Sequence, residues 1–251
     1  MSNTFVLDQV GSPSATGLDG RSEFARGFRA SLPVLCGFGP FALVLGAQAS
    51  QKGLGSLELA LMTGLNFGGG SEFAAIRLWT SPPHVLLIVA ITFLINSRHL
   101  LMGAALAPFL RVLPTHKAFA ALFFMCDESW AMGMADARRR AAAGEAHPFS
   151  LSYYMGVAAS LYVVWVLFTS LGVLVGPFIG DVRAWGFDMA FPAVFLVLLR
   201  GMWKGWRAAL PWLASLAAAA AAYLLVPGAW YVVAGALSGI VVAWFSTERE
   251  E

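Results

Sequence analysis

Long apolar stretches separated by short polar ones set the pattern of this chain. A bilayer core about 30 Å thick is crossed by about 20 helical residues. Eight stretches approach that length, at about 30 to 50, 57 to 79, 84 to 109, 118 to 135, 151 to 175, 187 to 202, 208 to 226 and 230 to 245. Several are interrupted. The first contains Pro33 and Pro40, the second is split by Gly68-Gly69-Gly70, and the fourth is short and acidic. The third holds four consecutive polar residues, Asn96, Ser97, Arg98 and His99, with apolar sequence on both sides. The last contains Gly235 and Gly239, a small-xxx-small spacing that lets two helix backbones approach closely. The pattern predicts an all-α polytopic membrane protein of about eight hydrophobic segments, some of them broken or re-entrant.

Composition agrees: of 251 residues, 59% are apolar and 12% charged, about half the charged share of a soluble domain. Residues 1–26 carry no long apolar run. They read as a flexible cytoplasmic tail, not a secretory leader. The membrane domain then covers 27–246, and 247–251 form a short C-terminal tail on the same side. The net charge of +2 gives no reason to expect nucleic acid. Cys36 and Cys126 have no metal-ligand spacing and read as small core hydrophobes. If all eight segments cross, the loops of one side hold eleven Lys and Arg and the other four, which puts both termini in the cytoplasm. A re-entrant second or fourth segment would reverse the sides of all later loops. One short echo suggests an inverted repeat: Gly27-Phe28 followed by Pro33, and Gly186-Phe187 followed by Pro192.

The candidate chemistry lies in the apolar segments. An arginine at mid-membrane costs about 2.5–3.5 kcal/mol on insertion scales, so Arg98 should face water, protein or a counter-charge. It either clamps a substrate carboxylate or forms a structural pair with Asp127, Glu128 or Glu72. A break at the three glycines would free the N-terminus of a half-helix starting near Ser71, which attracts anions; alternatively the glycines only permit tight packing. Glu72 is a binding or proton-carrying carboxylate, or else a partner of Arg98 or Arg77. His99 relays protons or is simply hydrogen-bonded in the core. Asn96 lies on roughly the same helical face and can bond freed backbone. Asp127 and Glu128 point about 100° apart on a helix, so one faces the pathway and the other a helix end or interface. Arg138-Arg139-Arg140 reads as a topology anchor. No phosphate-binding loop, nucleophile elbow or His/Cys metal cluster occurs, so the chain is expected to be no enzyme and to hold no cofactor or metal.

The stretches SLPVLCGFGPF (31–41), FGGGSEFAA (67–75), NSRHLLMGAALAP (96–108), CDESWA (126–131) and GFDMAFPAVF (186–195) resemble the AzlC family of bacterial branched-chain amino acid exporters. The resemblance implies the large subunit of a secondary transporter in the inner membrane. Such a subunit works with a small AzlD-like membrane partner and exports valine, leucine, isoleucine and methionine on the proton motive force. It carries over Ser71, Arg98, His99, Asp127 and Glu128. The chain departs from the family at Glu72, where Gln is usual, which puts the exact substrate in doubt. On this reading Ser71, Glu72, Asn96, Arg98 and Asp127 bind substrate, and Glu72, His99, Asp127 and Glu128 handle protons. Phe67, Phe73 and Trp79 would cover the substrate side chain. The alternatives are a transporter of another small solute, an importer on the same fold, or a non-transporting accessory subunit.

Overall fold

The computed structural model describes residues 20–145, 147–179, 196, 200, 203, 205–226 and 230–247. The described helices fall into two units. In the first are α1 (Gly20–Gln51), α2 (Ser56–Asn66), α3 (Gly70–Leu78), α4 (Val85–Asn96), α5 (Arg98–Leu110), α6 (Thr115–Phe123), α7 (Asp127–Ala142) and α8 (Leu151–Ile179). In the second are α9 (Trp206–Leu225) and α10 (Trp230–Thr247). Four described stretches are long and apolar enough to cross a membrane: α1, α4 with α5, α8, and α9. The sixth apolar segment lies almost wholly outside the described residues, as does the second half of the repeat echo.

Two long helices form the frame. A Cβ on Gly27 or Gly46 of α1 would run into the backbone of α8, and one on Gly156 or Gly172 of α8 would run into α1. The glycines therefore set a backbone-to-backbone contact. The register stays constant from Gly27 beside Tyr153 to Gly46 beside Gly172, so the two helices run parallel. Ser31 and Ser160 share a 2.8 Å hydrogen bond along the seam. Residues 20–26, placed in the tail from sequence, form the first turns of α1.

The chain between these helices makes two hairpins of opposite sense. α2 begins where α1 ends, with the Ser56 hydroxyl donating to the Ser170 carbonyl. It descends along α8 until Tyr162 donates to the Gly64 carbonyl at 2.8 Å. Then α3 turns back. Phe73 stacks on Phe41 at 4.6 Å between centroids, and the carbonyl of Trp79 meets Lys52 Nζ at 3.2 Å, beside the end of α1. α6 and α7 mirror this from the other end. Ala121 of α6 accepts from Tyr154, Phe124 reaches the Tyr162 ring, and Asp136 of α7 is back beside Arg26, near the start of α1. Between the hairpins, α4 and α5 run the full depth with a one-residue interruption at Ser97. α4 has no buried residue, as expected of a span that meets lipid, and α5 buries one stripe, Met102, Leu106 and Leu110.

This geometry revises the eight-crossing count. The second and fourth segments enter and return, and the two reversals cancel, so α8 stays parallel to α1. Within 20–179, Arg77 moves to the side of Lys52, while Arg111 and Lys117 join Arg21, Arg26, Arg29 and Arg138–Arg140. The division becomes eight against two, more lopsided than before. In the second unit, α9 and α10 are antiparallel, with Gly235 and Gly239 seated on Ser215, so the small-xxx-small spacing serves close approach as expected.

Candidate functional site

The tips of both hairpins meet the interruption of α4–α5 halfway along the frame. The first tip is irregular backbone, Phe67-Gly68-Gly69. Phe67 has φ of 45° and Gly69 φ of 53°, a region that costs most side chains free energy. Gly68 is needed for space: a Cβ there would come within 2.7 Å of Asn66 Nδ2 and 2.8 Å of Asn96 Oδ1. The glycines thus make a true break as well as a packing surface. The second tip is Phe124-Met125-Cys126, where the Ser129 hydroxyl accepts from the Cys126 N–H at 2.9 Å. Non-helical backbone at membrane depth is tolerated only where protein or a water-filled cavity surrounds it, and both tips are enclosed by the helices around them.

Arg98 joins the tips. Its Nη2 donates to the Gly68 carbonyl at 3.0 Å and pairs with Asp127 Oδ2 at 3.0 Å. Of the three carboxylates considered from sequence, Asp127 is its partner. Arg98 Nε is buried without a partner among the described residues, as are Asn96 Oδ1 and Trp130 Nε1. Asn96 Nδ2 donates to Asn66 Oδ1 at 2.8 Å, and His99 Nδ1 lies 3.1 Å from the Asn96 carbonyl. Glu128, the next residue round α7, has no ion pair within 4 Å among the described residues.

Glu72 sits apart from this pair. It is 1% exposed and pairs with neither Arg98 nor Arg77, contrary to the salt bridge considered from sequence. Oε2 accepts from Trp165 Nε1 at 2.7 Å, and Oε1 accepts from the Gly68 N–H at 3.1 Å and Asn66 Nδ2 at 3.3 Å. The start of α3 is therefore already covered by a carboxylate of its own chain. Ser71, also buried, takes a 3.0 Å bond from Asn66. Trp165 is wedged at mid-helix between Phe38 and Phe41, at 4.9 and 5.6 Å between centroids.

A cavity of about 720 Å³ runs from Gly53, Glu58 and Trp79 at the α1 C-terminal end down to Asn66, Ser71 and Glu72. Its walls are mostly apolar and include Leu61, Met62, Leu65, Ala75 and Ile88. Of the three aromatic residues expected near the solute, only Trp79 lines it. Phe67 packs edge-on to Tyr162 and Phe73 on Phe41.

Sequence reasoning left Trp165 and Asn66 unassigned. The one available signal for Trp165 was an indole N–H in the middle of a charge-free span, where such a donor needs an acceptor. It also missed a second polar cluster at the α1 N-terminal end. Arg26 Nη1 and Nη2 hold the two Asp136 oxygens at 2.8 and 2.9 Å, and Arg26 Nε donates to Glu23 at 3.0 Å. Arg140 bonds Asp136 at 3.0 Å and also pairs with Glu23. Two of the three anchor arginines, Arg139 and Arg140, are therefore ion-paired to Asp136. The spacings Glu23/Arg26 and Asp136/Arg140 are those of helix-face ion pairs and were the readable sign.

Several known proteins are similar to this chain. The family profile described as AzlC protein matches residues 33–179. An uncharacterised membrane protein of Archaeoglobus fulgidus is 28% identical over 90% of this chain and 96% of its own. The inner membrane protein YgaZ of Escherichia coli is 24% identical over 73% of this chain and 70% of its own. The branched-chain amino acid transport protein AzlC of Bacillus subtilis is 22% identical over 89% and 86%. No solved structure matches the chain.

Proposed function

The chain belongs to the AzlC family, and from that membership we propose that it is the large subunit of a secondary transporter exporting valine, leucine, isoleucine and methionine across the bacterial inner membrane. A small AzlD-like membrane subunit completes the transporter, and the proton motive force drives it. The name of the Bacillus subtilis relative supports the substrate class. The observation that carries the reading is the cavity: apolar walls ending on a buried carboxylate that no cation among the described residues pairs with, beside hairpin tips that meet from opposite ends. Opposed half-membrane elements around a midplane site are the architecture of many secondary transporters. The eight-to-two excess of Lys and Arg favours a cytoplasmic α1 N-terminus.

In this mechanism the substrate ammonium sits against Glu72, with Asn66 and Ser71 beside it and its branched side chain against Leu61, Leu65 and Trp79. The substrate carboxylate competes with Asp127 for Arg98, which separates the two hairpin tips. Asn96 keeps Asn66 in place. Glu72 exchanges the ammonium for a proton, and the freed Asp127, with Glu128 and His99, completes the proton path. The test is efflux and uptake of labelled valine, leucine and methionine in preloaded vesicles, with and without the small subunit. Glu72→Gln and Arg98→Ala are compared at matched expression. Efflux that depends on the small subunit and is lost in both variants is the expected result. Absence of flux for every amino acid tested, with both subunits inserted, would overturn the substrate assignment.

A further inference from the structure

We propose that the Glu23–Arg26–Asp136–Arg140 cluster is the lock of a gate at the α1 N-terminal end, closed in this structure. The inference rests on the transporter reading, because a gate has meaning only where a solute gains access from both sides. It starts from an asymmetry between the ends of the frame. Toward the α1 C-terminus, a cavity reaches from the exposed Gly53 and Glu58 to Glu72 at mid-depth. Toward the α1 N-terminus a cavity lined by Gly20, Phe24, Leu151 and Met155 stays at the end of the frame, and the depth behind it is filled. Met102, Leu106 and Leu110 of α5, Ala121 of α6, Met125, Met134 of α7, and Tyr154 and Ala158 of α8 form one buried apolar plug.

Beyond the plug lies the ion cluster, and its partners show what it fastens. Arg26 belongs to the frame and Asp136 to the returning arm of the second hairpin, with two parallel hydrogen bonds between them. Arg140, on the same arm, reaches back to Glu23. Both acids are buried, at 5% exposure each. The Arg26 guanidinium also lies 4.0 Å over the Tyr153 ring of α8, so the side chain that holds the arm is itself braced against the second long helix. Undoing this cluster frees the end of α7, and the hairpin, which carries Ala121, Met125 and Met134, can then swing away from α5 and α8 and part the plug. The tip that becomes accessible carries Cys126, which is buried at present. Opening at this end while the Glu72 cavity closes at the other is alternating access with two hairpins as the moving parts.

Cys126 is also the reporter. With Cys36→Ser it is the only cysteine in the chain. Its labelling by a charged, membrane-impermeant maleimide is timed in vesicles of both orientations. Arg26→Gln and Asp136→Asn should each raise the rate about tenfold, and only from the α1 N-terminal side. Such a factor corresponds to about 1.4 kcal/mol in the opening equilibrium. Arg139→Gln should leave it within about twofold, because that side chain is 70% exposed and exposed pairs contribute little. A rate unchanged in the first two variants would overturn the proposal, as would an equal rise from both sides, the mark of general loosening. The labelling needs no substrate, so a failed efflux assay and a failed gate leave different results.

Discussion

At the scale of single residues, the first hairpin tip makes the sharpest demands. Gly69 holds φ of 53°, so Gly69→Ala is expected to destabilise the protein by about 1–3 kcal/mol. Gly37, in mid-helix with open space around its missing Cβ, should respond oppositely: Gly37→Ala should stabilise by about 0.5–1 kcal/mol. Thermal unfolding of the two variants in one detergent checks both signs. Glu72 makes a second demand. Both its oxygens face donors, Trp165 Nε1 on one and the Gly68 and Asn66 N–H groups on the other. A glutamine there must turn an NH₂ toward a donor, leaving buried groups unpaired at about 1–3 kcal/mol. Removing the indole N–H removes one of those conflicts, so Glu72→Gln should cost measurably less in a Trp165→Phe background. Equal costs in the two backgrounds would count against the described bonding. The carboxylate was legible in the sequence and its partner was not, because 93 positions separate Glu72 from Trp165 and no spacing rule connects them.

At the scale of elements, hydropathy shows where the chain is apolar and leaves open which way it runs. The stretches at 57 to 79 and 118 to 135 are each long enough to suggest a crossing. What marks them as hairpins is their interruptions: three glycines in one, and Cys126-Asp127-Glu128 in the other, where two acids follow the break. Both signals were visible, yet each also fits a kinked crossing helix, and only contacts with α1 and α8 decide. The Arg98–Asp127 pair was one of several pairings the sequence allowed. Hairpin tips approaching from opposite ends are what select it. Because Arg98 bonds one tip through the Gly68 carbonyl and the other through Asp127, the two side chains should be energetically coupled. A double-mutant cycle of Arg98→Ala and Asp127→Ala is expected to give an interaction of about 0.5–3 kcal/mol in unfolding free energy. The paired Arg98→Ala and Glu72→Ala cycle should give a smaller coupling, because those side chains share only the Gly68 backbone and no direct bond. Coupling in the second cycle and none in the first would show that the tips meet through Glu72 instead.

At the scale of the whole molecule, parity decides the topology. Between two parallel helices a chain must make an odd number of crossings, and both one crossing and three satisfy that. The eight-segment reading has three between α1 and α8, whereas the described hairpins leave one, α4 with α5. The two readings agree on the sides of α1 and α8 and of the loops at Lys52 and Glu145, and disagree on the turns at Ser81 and Arg111 between them. With three crossings, the turn at Ser81 lies opposite Lys52, and Arg111 lies opposite Glu145. With opposed hairpins, Ser81 shares a side with Lys52 and Arg111 shares a side with Glu145. The Lys52 Nζ contact with the Trp79 carbonyl requires the second arrangement. Single cysteines at Lys52, Ser81, Arg111 and Glu145, in a chain lacking Cys36 and Cys126, separate the readings. Impermeant reagent added to one face should label the first two together and the last two together. Labelling of position 81 with 145, and of 52 with 111, would restore three crossings and remove the hairpins. The gate at the α1 N-terminal end would then lose its moving arm, since α7 would be half of a fixed span. The positive-inside rule gives the same order of preference from an independent direction, because the hairpin topology leaves only Lys52 and Arg77 on the sparse side of residues 20–179.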